Sequence, residues 1–363
     1  MLTAITFILI LFTAVLVHEG AHFVNAKRVG VPVRAFSIGM GPVLWRRTWR
    51  GTEWRIAAFP LGGYVDLPGM APKVDSEGRL QHPDDGMATK GLAAKLWVLL
   101  GGILANFVLG VALLATAVML QPGYRSYITS SDVGRGSDVL SVVSGSPAAK
   151  LGIAKGDRIV ALNGHTDPSP EQVVTTIHQA KELTLTLENH GKRRKVSTPW
   201  PPSGPNVLRG SNGNALLGVN VAPAFAGVAL PQALAESAWF GVRAVPEMVR
   251  GFIQGFAAAL TGGKNNDVAG PVGIVGMVNQ ATHVGFASVL FLAALINFSL
   301  AVFNVLPIPG LDGGRMLLAS VVAVRGRPFK PGQEEQLHFI GIMAVLALIV
   351  LVTVHEISGL LHG

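Results

Sequence analysis

The stretch LWVLLGGILANFVLGVALLATAVML, residues 96–120, decides the fold class because it is apolar throughout and contains no charged side chain. About 20 residues of α-helix are enough to cross a hydrocarbon core of ~30 Å. Similar apolar runs occupy about 284–306 and 338–361, and a further run opens the chain at 1–17. The pattern predicts a polytopic membrane protein with four transmembrane α-helices.

The composition agrees with that class. Of the 363 residues, 50% are hydrophobic and 14% are charged, and the mean hydropathy is +0.46, which is more apolar than soluble domains usually are. In a soluble protein the formal charge of +8 would suggest a nucleic-acid partner, but here we relate it to membrane orientation and expect no nucleic acid. Cysteine is absent, which excludes disulfides and thiolate zinc sites.

The basic residues predict the orientation in the membrane. Eleven Lys or Arg lie within 27–95 and four within 315–335, and cytoplasmic loops carry such an excess. We therefore place these two loops in the cytoplasm, with both termini and the segment 122–282 outside. The first run lacks the basic start and small-residue cleavage site of a signal peptide, so we interpret it as a retained transmembrane helix.

The segment between the second and third spans predicts a small folded domain. Residues 139–164, VLSVVSGSPAAKLGIAKGDRIVALNG, predict two strands separated by a helical turn, and a helix at 170–180 and strands at 182–188 and from residue 192 follow. This order resembles a PDZ domain over 125–222, which would bind a peptide tail or partner as an added strand. The alternative is a small β-rich domain that acts only as a spacer or plug.

The segment that follows, 223–282, predicts an amphipathic helix and ends in a GPVGI motif at 270–274. Apolar residues recur every three or four positions from 231 to 260, so we expect this helix to lie on the outer membrane surface. Pro246 should kink it or split it in two.

The segment VLVHEGAHF, residues 15–23, places three polar side chains within the first apolar run. On a helix His18 and His22 project from one face and can share a metal ion, with Glu19 beside them able to deprotonate a water. Glu19 lies about 25 Å along the helix, inside the hydrocarbon core toward its cytoplasmic side. A charged residue at that depth is costly, which favours a functional role over histidines that merely hydrogen-bond in a helix bundle.

A catalytic zinc ion typically has three protein ligands and keeps a fourth position for water. The best candidate for the third ligand is Asp312 in NVLPIPGLDGGR, residues 304–315, because the third span ends on the same side of the membrane as HEGAH. Pro307 and Pro309 should break the helix, so we expect Asp312 on non-helical chain that turns back toward the metal. The alternative is that this segment is only a turn leaving the bilayer.

The ordered set of motifs resembles the site-2 protease family of intramembrane zinc metalloproteases, of the bacterial regulator of sigma-E type, over nearly the whole chain. The motifs are HEGAH, FSIGMGP, FPLGGYV, the PDZ-like insert, GPVGI and NVLPIPGLDGG. The resemblance implies Zn²⁺ held by His18, His22 and Asp312, with Glu19 as the general base. It differs from well-known relatives in having one PDZ-like module rather than two.

The resemblance also implies substrate contacts at Asn304, Pro307, Pro309, Gly62 and Gly63. The stretches 36–44 and 54–65 resemble the family's membrane-associated β-hairpin on the cytoplasmic side, whose edge would pair with the substrate; an ordinary surface hairpin is the alternative. The implied substrate is a single-span protein of the bacterial inner membrane, such as an anti-sigma factor or signal-peptide remnant, already cut by another protease. A membrane metal transporter and a PDZ scaffold are the alternative functions.

These observations predict four regions, with the active site toward the cytoplasmic side and the PDZ-like domain outside. They are residues 1–124 with the first span, hairpin and second span; 125–222 as the PDZ-like domain; 223–282 with the amphipathic helix and GPVGI; and 283–363 with the third span, LDG motif, cytoplasmic loop and fourth span.

Overall fold

A computed structural model of the chain describes residues 2–70, 73–74, 80–81, 84–129, 134–189, 191–202, 208–209, 214–225, 227–261 and 270–362. The described chain divides into two compact units. We call residues 1–117 with 234–363 the helical unit, and residues 118–233 the inserted unit.

The α-helices are numbered in chain order. They are α1 Leu2–Arg28, α2 Leu92–Leu120, α3 Arg125–Ile128, α4 Pro147–Lys150, α5 Pro170–Gln179, α6 Leu230–Thr261, α7 Pro271–Val284, α8 Phe286–Val305, α9 Asp312–Arg325 and α10 Gln333–His362.

The strands are numbered in the same way. They are β1 Ala35–Trp49, β2 Thr52–Asp66, β3 Lys73–Val74, β4 Leu80–Gln81, β5 Gly134–Val142, β6 Arg158–Leu162, β7 His165–Thr166, β8 Glu182–Asn189, β9 Lys192–Pro199 and β10 Val219–Phe225.

Four helices of the described chain, α1, α2, α8 and α10, are long and apolar enough to cross a membrane. They coincide with the four predicted apolar runs, and this part of the prediction is confirmed. Small residues let several helices of the helical unit approach closely, because a Cβ added at Gly110 of α2 or Gly241 of α6 would lie within 3 Å of the Phe298 ring. Ile10 of α1, Val278 of α7 and Ala293 of α8 form a second buried contact.

The long antiparallel hairpin β1–β2 follows α1. Its turn lies at Arg50 and Gly51, which both have positive φ angles, and Trp49 pairs with Thr52. Residues 35–38 of β1 pair with two parts of β2, with 53–56 on one side and with 63–66 on the other. The two long strands therefore bend back on themselves, with repeated register shifts, instead of forming a flat two-stranded ladder. Large apolar side chains, including Leu44 and Phe59, remain exposed on it.

The inserted unit is built on one sheet. Its strand order is β10-β5-β6-β8-β9, with β7 paired to β6, and Leu183, Leu185 and Leu187 of β8 point into its core without exposed surface. Helix α5 begins with a capping box between Ser169 and Gln172, which satisfies two backbone N–H groups that the first turn would otherwise leave unpaired.

Three local expectations differ from the structure. Asp312 is the first residue of α9 rather than part of a non-helical segment, because the proline turn ends before it and Leu311 takes the extended N-cap conformation. The GPVGI motif itself opens a separate helix, α7, which begins at Pro271, and α9 lies in the predicted cytoplasmic loop. Helix α6 continues through Pro246, so of the two outcomes expected at this proline, a kink or a split, the split does not occur.

Candidate active site

The two histidines of HEGAH lie on one face of α1, as their spacing predicted. Their ring centroids are 4.7 Å apart and the rings are nearly perpendicular, and the two Nε2 atoms are separated by 3.2 Å. Both side chains are largely buried. Adjacent turns of one helix therefore bring the two Nε2 atoms close together.

Asp312 reaches the same point from the other end of the chain. Its Oδ2 atom lies 3.2 Å from the Nε2 atom of His18 and 3.2 Å from that of His22. Although it is buried, this oxygen makes no hydrogen bond with any residue that the structure describes. Its position is therefore explained better by a shared third partner than by hydrogen bonding to either ring.

The donor set fits a zinc ion. Two imidazole nitrogens and one carboxylate oxygen form a triangle with 3.2 Å edges. Ligands that lie about 2.0–2.2 Å from a tetrahedral ion are separated by roughly 3.3–3.6 Å, so a small adjustment would accommodate the ion. Among the described residues, this is the cluster of three metal-ligating side chains that the structure presents.

A backbone carbonyl orients His22. The Nδ1 atom of His22 lies 2.8 Å from the carbonyl oxygen of Val98 in α2. With Nδ1–H donating to this carbonyl, the lone pair of Nε2 is free to bind a metal. Val98 cannot be identified from the sequence, because any residue at this position would offer the same backbone carbonyl.

Strand β2 passes directly beside Glu19. A Cβ added at Gly63 would lie 3.6 Å from Cγ of Glu19 and 2.8 Å from the carbonyl oxygen of Ser37, so only glycine fits between the helix and β1. The backbone amide of Val65 also faces the Glu19 carboxylate. Gly62 and Gly63, predicted as substrate contacts, thus lie in the strand segment next to Glu19, where both line a small cleft.

A cavity of about 480 Å³ opens onto Glu19, His22 and Asp312. Its wall includes two cationic side chains, Arg34, which immediately precedes β1, and Arg315 of α9. Such a cavity gives water a route to the cluster. The sequence could have indicated Arg315, three residues after Asp312, only if the helix α9 had been predicted.

The remaining predicted site residues do not line the cavity beside the metal-ligand cluster, as far as the structure describes it. Asn304 lies in the last turn of α8, and Pro307 and Pro309 lie in the turn between α8 and α9. None of the three is among the described residues that line the cavity. Their predicted contact with substrate stays a prediction.

Comparison with known proteins gives matches over nearly the whole chain. A family model described as Peptidase family M50 matches residues 6–348. A protein of Agrobacterium fabrum named as a zinc metalloprotease is 32% identical over 98% of this chain and 96% of its own length. The protein Eep of Enterococcus faecalis, named as a protease, is 27% identical over 99% of both chains.

A further relative, from Rhizobium meliloti and also named as a zinc metalloprotease, is 30% identical over 98% of this chain and 96% of its own. The similarity thus extends over the complete set of motifs rather than over HEGAH alone. The chain therefore belongs to peptidase family M50, the site-2 protease family of membrane-embedded zinc metalloproteases.

Proposed function

We propose that this enzyme hydrolyses a peptide bond within or near the transmembrane segment of a single-span membrane protein, after another protease has removed the outer part of that substrate. One observation carries the proposal. Glu19 and three convergent ligand atoms meet beside a cavity, and two of those ligands belong to a helix long and apolar enough to span the bilayer.

We assign His18, His22 and Asp312 as the zinc ligands and Glu19 as the general base. When bound, zinc supplies Lewis acidity that polarises the scissile carbonyl and acidifies water. The Glu19 carboxylate accepts the proton of the attacking water and then donates it to the leaving amine nitrogen. The position of Glu19 next to both histidines in α1 and beside the cavity supports this role.

The hairpin β1–β2 is proposed to hold the substrate in an extended form. A transmembrane helix engages its carbonyls in internal hydrogen bonds, so the bond to be cut must first be unwound. In the described sheet β1 and β2 pair only with each other, and their outer edges can accept a further strand. The contact of Gly63 with Glu19 would bring such a strand close to the general base.

We infer from the basic loops that the active site faces the cytoplasmic side of a bacterial inner membrane and that the inserted unit lies outside. The inserted unit is proposed to be a PDZ-like domain that binds a peptide tail or responds to substrate trimming. Helix α5 packs beside the edge strand β10, an arrangement that suits addition of a peptide strand. Membership of a zinc metalloprotease family favours hydrolysis over the transporter and scaffold alternatives.

Replacing Glu19 by Gln tests the assignment of the base. We expect E19Q to remain folded and zinc-loaded but to cleave at least about 100-fold more slowly, because general-base catalysis contributes at least that factor. The measurement is cleavage of a single-span substrate in proteoliposomes, with zinc content determined by elemental analysis. Exposed Glu171 in α5 provides the matched control, and E171Q should cleave normally; full activity of E19Q would remove Glu19 from the mechanism.

Two further arms test the ligand set and the substrate class. D312N should lose zinc and activity together, whereas full zinc occupancy in D312N would remove Asp312 from the ligands. A substrate with its outer domain already removed should be cut faster than the intact form. Equal rates for the two substrates would contradict a dependence on prior trimming.

A further inference from the structure

One face of α2 packs directly on the two histidines. A Cβ added at Gly102 would lie 2.5 Å from both Cε1 of His18 and Nε2 of His22, so the helix backbone approaches the rings to contact distance. One turn before Gly102, the carbonyl of Val98 engages His22. One turn after it, Asn106 lies on the same face with 1% of its surface exposed.

The Asn106 amide contacts the ring nitrogen of His18 that faces away from the ligand cluster. Its Nδ2 atom lies 3.4 Å from Nδ1 of His18, while its Oδ1 atom is buried and has no hydrogen-bond partner among the described residues. A buried amide oxygen without a partner costs roughly 1–3 kcal/mol. A half-turn of the amide about the Cβ–Cγ bond exchanges its oxygen and its nitrogen without moving any other atom of the chain.

We propose that Asn106 is a positioning residue that fixes the ring orientation and tautomer of His18, its Oδ1 accepting a hydrogen bond from the His18 Nδ1–H. This inference rests on the proposed function, in which His18 binds zinc through Nε2. A metal-binding Nε2 carries no proton, so the proton of the neutral ring is on Nδ1. The turned amide then satisfies the buried Oδ1 and the Nδ1–H in one bond.

The opposite orientation of the amide leads to a different chemistry. An Nδ2–H that donates to Nδ1 places the ring proton on Nε2, where it faces Asp312 and blocks a metal. The two orientations therefore predict opposite effects on zinc affinity when Asn106 is replaced by aspartate, whose carboxylate can only accept hydrogen bonds. With Val98 for His22 and Asn106 for His18, α2 supplies an outer hydrogen-bond partner for each imidazole, as metal-binding histidines usually require.

The test measures zinc affinity of the full-length protein in detergent by competition with a chelator. N106A should weaken zinc binding by about 10- to 100-fold, the usual effect of losing such a partner. N106D should restore binding to within a few-fold of the wild type, because a carboxylate accepts from Nδ1–H. Asn25 provides the matched control, since it also joins α1 to α2 but donates to the Trp97 backbone carbonyl, at 2.9 Å, rather than to a histidine.

We expect N25A to lower the midpoint of thermal unfolding about as much as N106A but to leave zinc affinity unchanged. Equal zinc affinity in N106A and the wild type would overturn the inference, as would a folded N106D that binds zinc no better than N106A. If N106D does not fold, the zinc affinities of N106A and N25A are compared instead. Weaker zinc binding in N106A alone supports the inference, and equal zinc affinity in the two variants overturns it. Failure of the proposed function is distinguishable, because then H18A would also retain wild-type zinc affinity.

Discussion

Gly102 lies where α2 touches both imidazoles, and no side chain fits there without moving a ring. The Cβ of an alanine would lie 2.5 Å from atoms of His18 and His22, closer than real Cβ contacts. Gly20 is the informative comparison, because it lies inside the HEGAH motif, yet an added Cβ would meet no atom within 4 Å from the described residues beyond its own helix backbone. Whether a glycine near the histidines can be replaced therefore depends on how closely α2 packs against it, and not on whether the glycine belongs to the HEGAH motif.

We therefore expect G102A to lose most of its zinc and at least about 10-fold in zinc affinity, since displaced rings no longer hold their nitrogens in place. G20A should keep zinc, and its helix should be no less stable, because alanine is the better helix former. Elemental analysis of both purified variants measures the difference. Zinc loss of equal size in G20A and G102A would contradict the packing argument.

At the residue scale, the HEGAH motif predicts the mutual position only of those site residues that lie within α1. His18, Glu19 and His22 are related by helical spacing, which is fixed by neighbouring residues. Asp312 was selected on chemical and topological grounds, and its 3.2 Å contacts with both rings depend on the packing of other helices. The conformation expected for it was wrong, because the proline turn is immediately followed by a new helix.

At the scale of elements, Glu356 joins α10 to α7. From the sequence, the pair His355 and Glu356 predicts polar groups at the membrane surface rather than a second metal site. The Glu356 carboxylate accepts hydrogen bonds from the backbone N–H groups of Gly270, Val272 and Gly273 at 2.6, 3.1 and 3.1 Å. It thus caps the N-terminus of α7, where unpaired N–H groups and the helix dipole favour an anion.

E356A should expose the first turn of α7 to solvent exchange, because three N–H groups lose their acceptor. E356Q keeps one accepting oxygen and should have an intermediate effect. The loss on E356A is expected to be about 1–3 kcal/mol of local stability, or about 10- to 100-fold faster hydrogen exchange in peptides covering 270–276. Unchanged exchange in E356A would show that α7 does not depend on this cap.

A buried carboxylate joins a turn and two strands of the inserted unit. Asp157, before β6, accepts hydrogen bonds from the backbone N–H of Ala154, the Asn189 amide and the Arg194 guanidinium. Burial alone would raise the pKa of Asp157, but these donors outweigh it and hold the pKa below its ordinary value. The ionised form is therefore favoured by folding.

The sign of the pH effect follows from the lowered pKa. The contribution of Asp157 to stability is complete above the ordinary carboxyl pKa, near pH 4, and is lost as pH falls through the lower folded value. D157N should thus be less stable than the wild type at neutral pH, and the difference should shrink progressively below about pH 4. Hydrogen exchange of β6 and β8 measures it, and a difference that does not change with pH would contradict the assignment.

At the scale of the whole molecule, the division into two compact units predicts that damage to one core leaves the other unit folded. Helix α5 offers a matched pair of adjacent valines for this test. Val173 is 1% exposed and Val174 is 48% exposed. Val173 belongs to the core of the inserted unit, while Val174 does not.

V173A should destabilise the inserted unit by about 2–3 kcal/mol through lost burial and an incompletely filled cavity. V174A should change its stability by less than about 0.5 kcal/mol. Limited proteolysis of the full-length protein should cut V173A faster within the inserted unit, while zinc content stays normal in both variants. Loss of zinc in V173A would show that the two units depend on each other.

Sequence alone determined the membrane class, the four apolar helices and the helix face that His18 and His22 share, with Glu19 beside it. Hydropathy and helical spacing depend only on residues within about 20 positions of one another, so they can be read without knowing the fold. Tertiary structure decided which distant groups meet this face: Asp312, the glycine-bearing segment of β2, and Gly102, Asn106 and Val98 of α2. Those contacts depend on how helices and strands far apart in the chain pack together, and short-range patterns do not encode that packing.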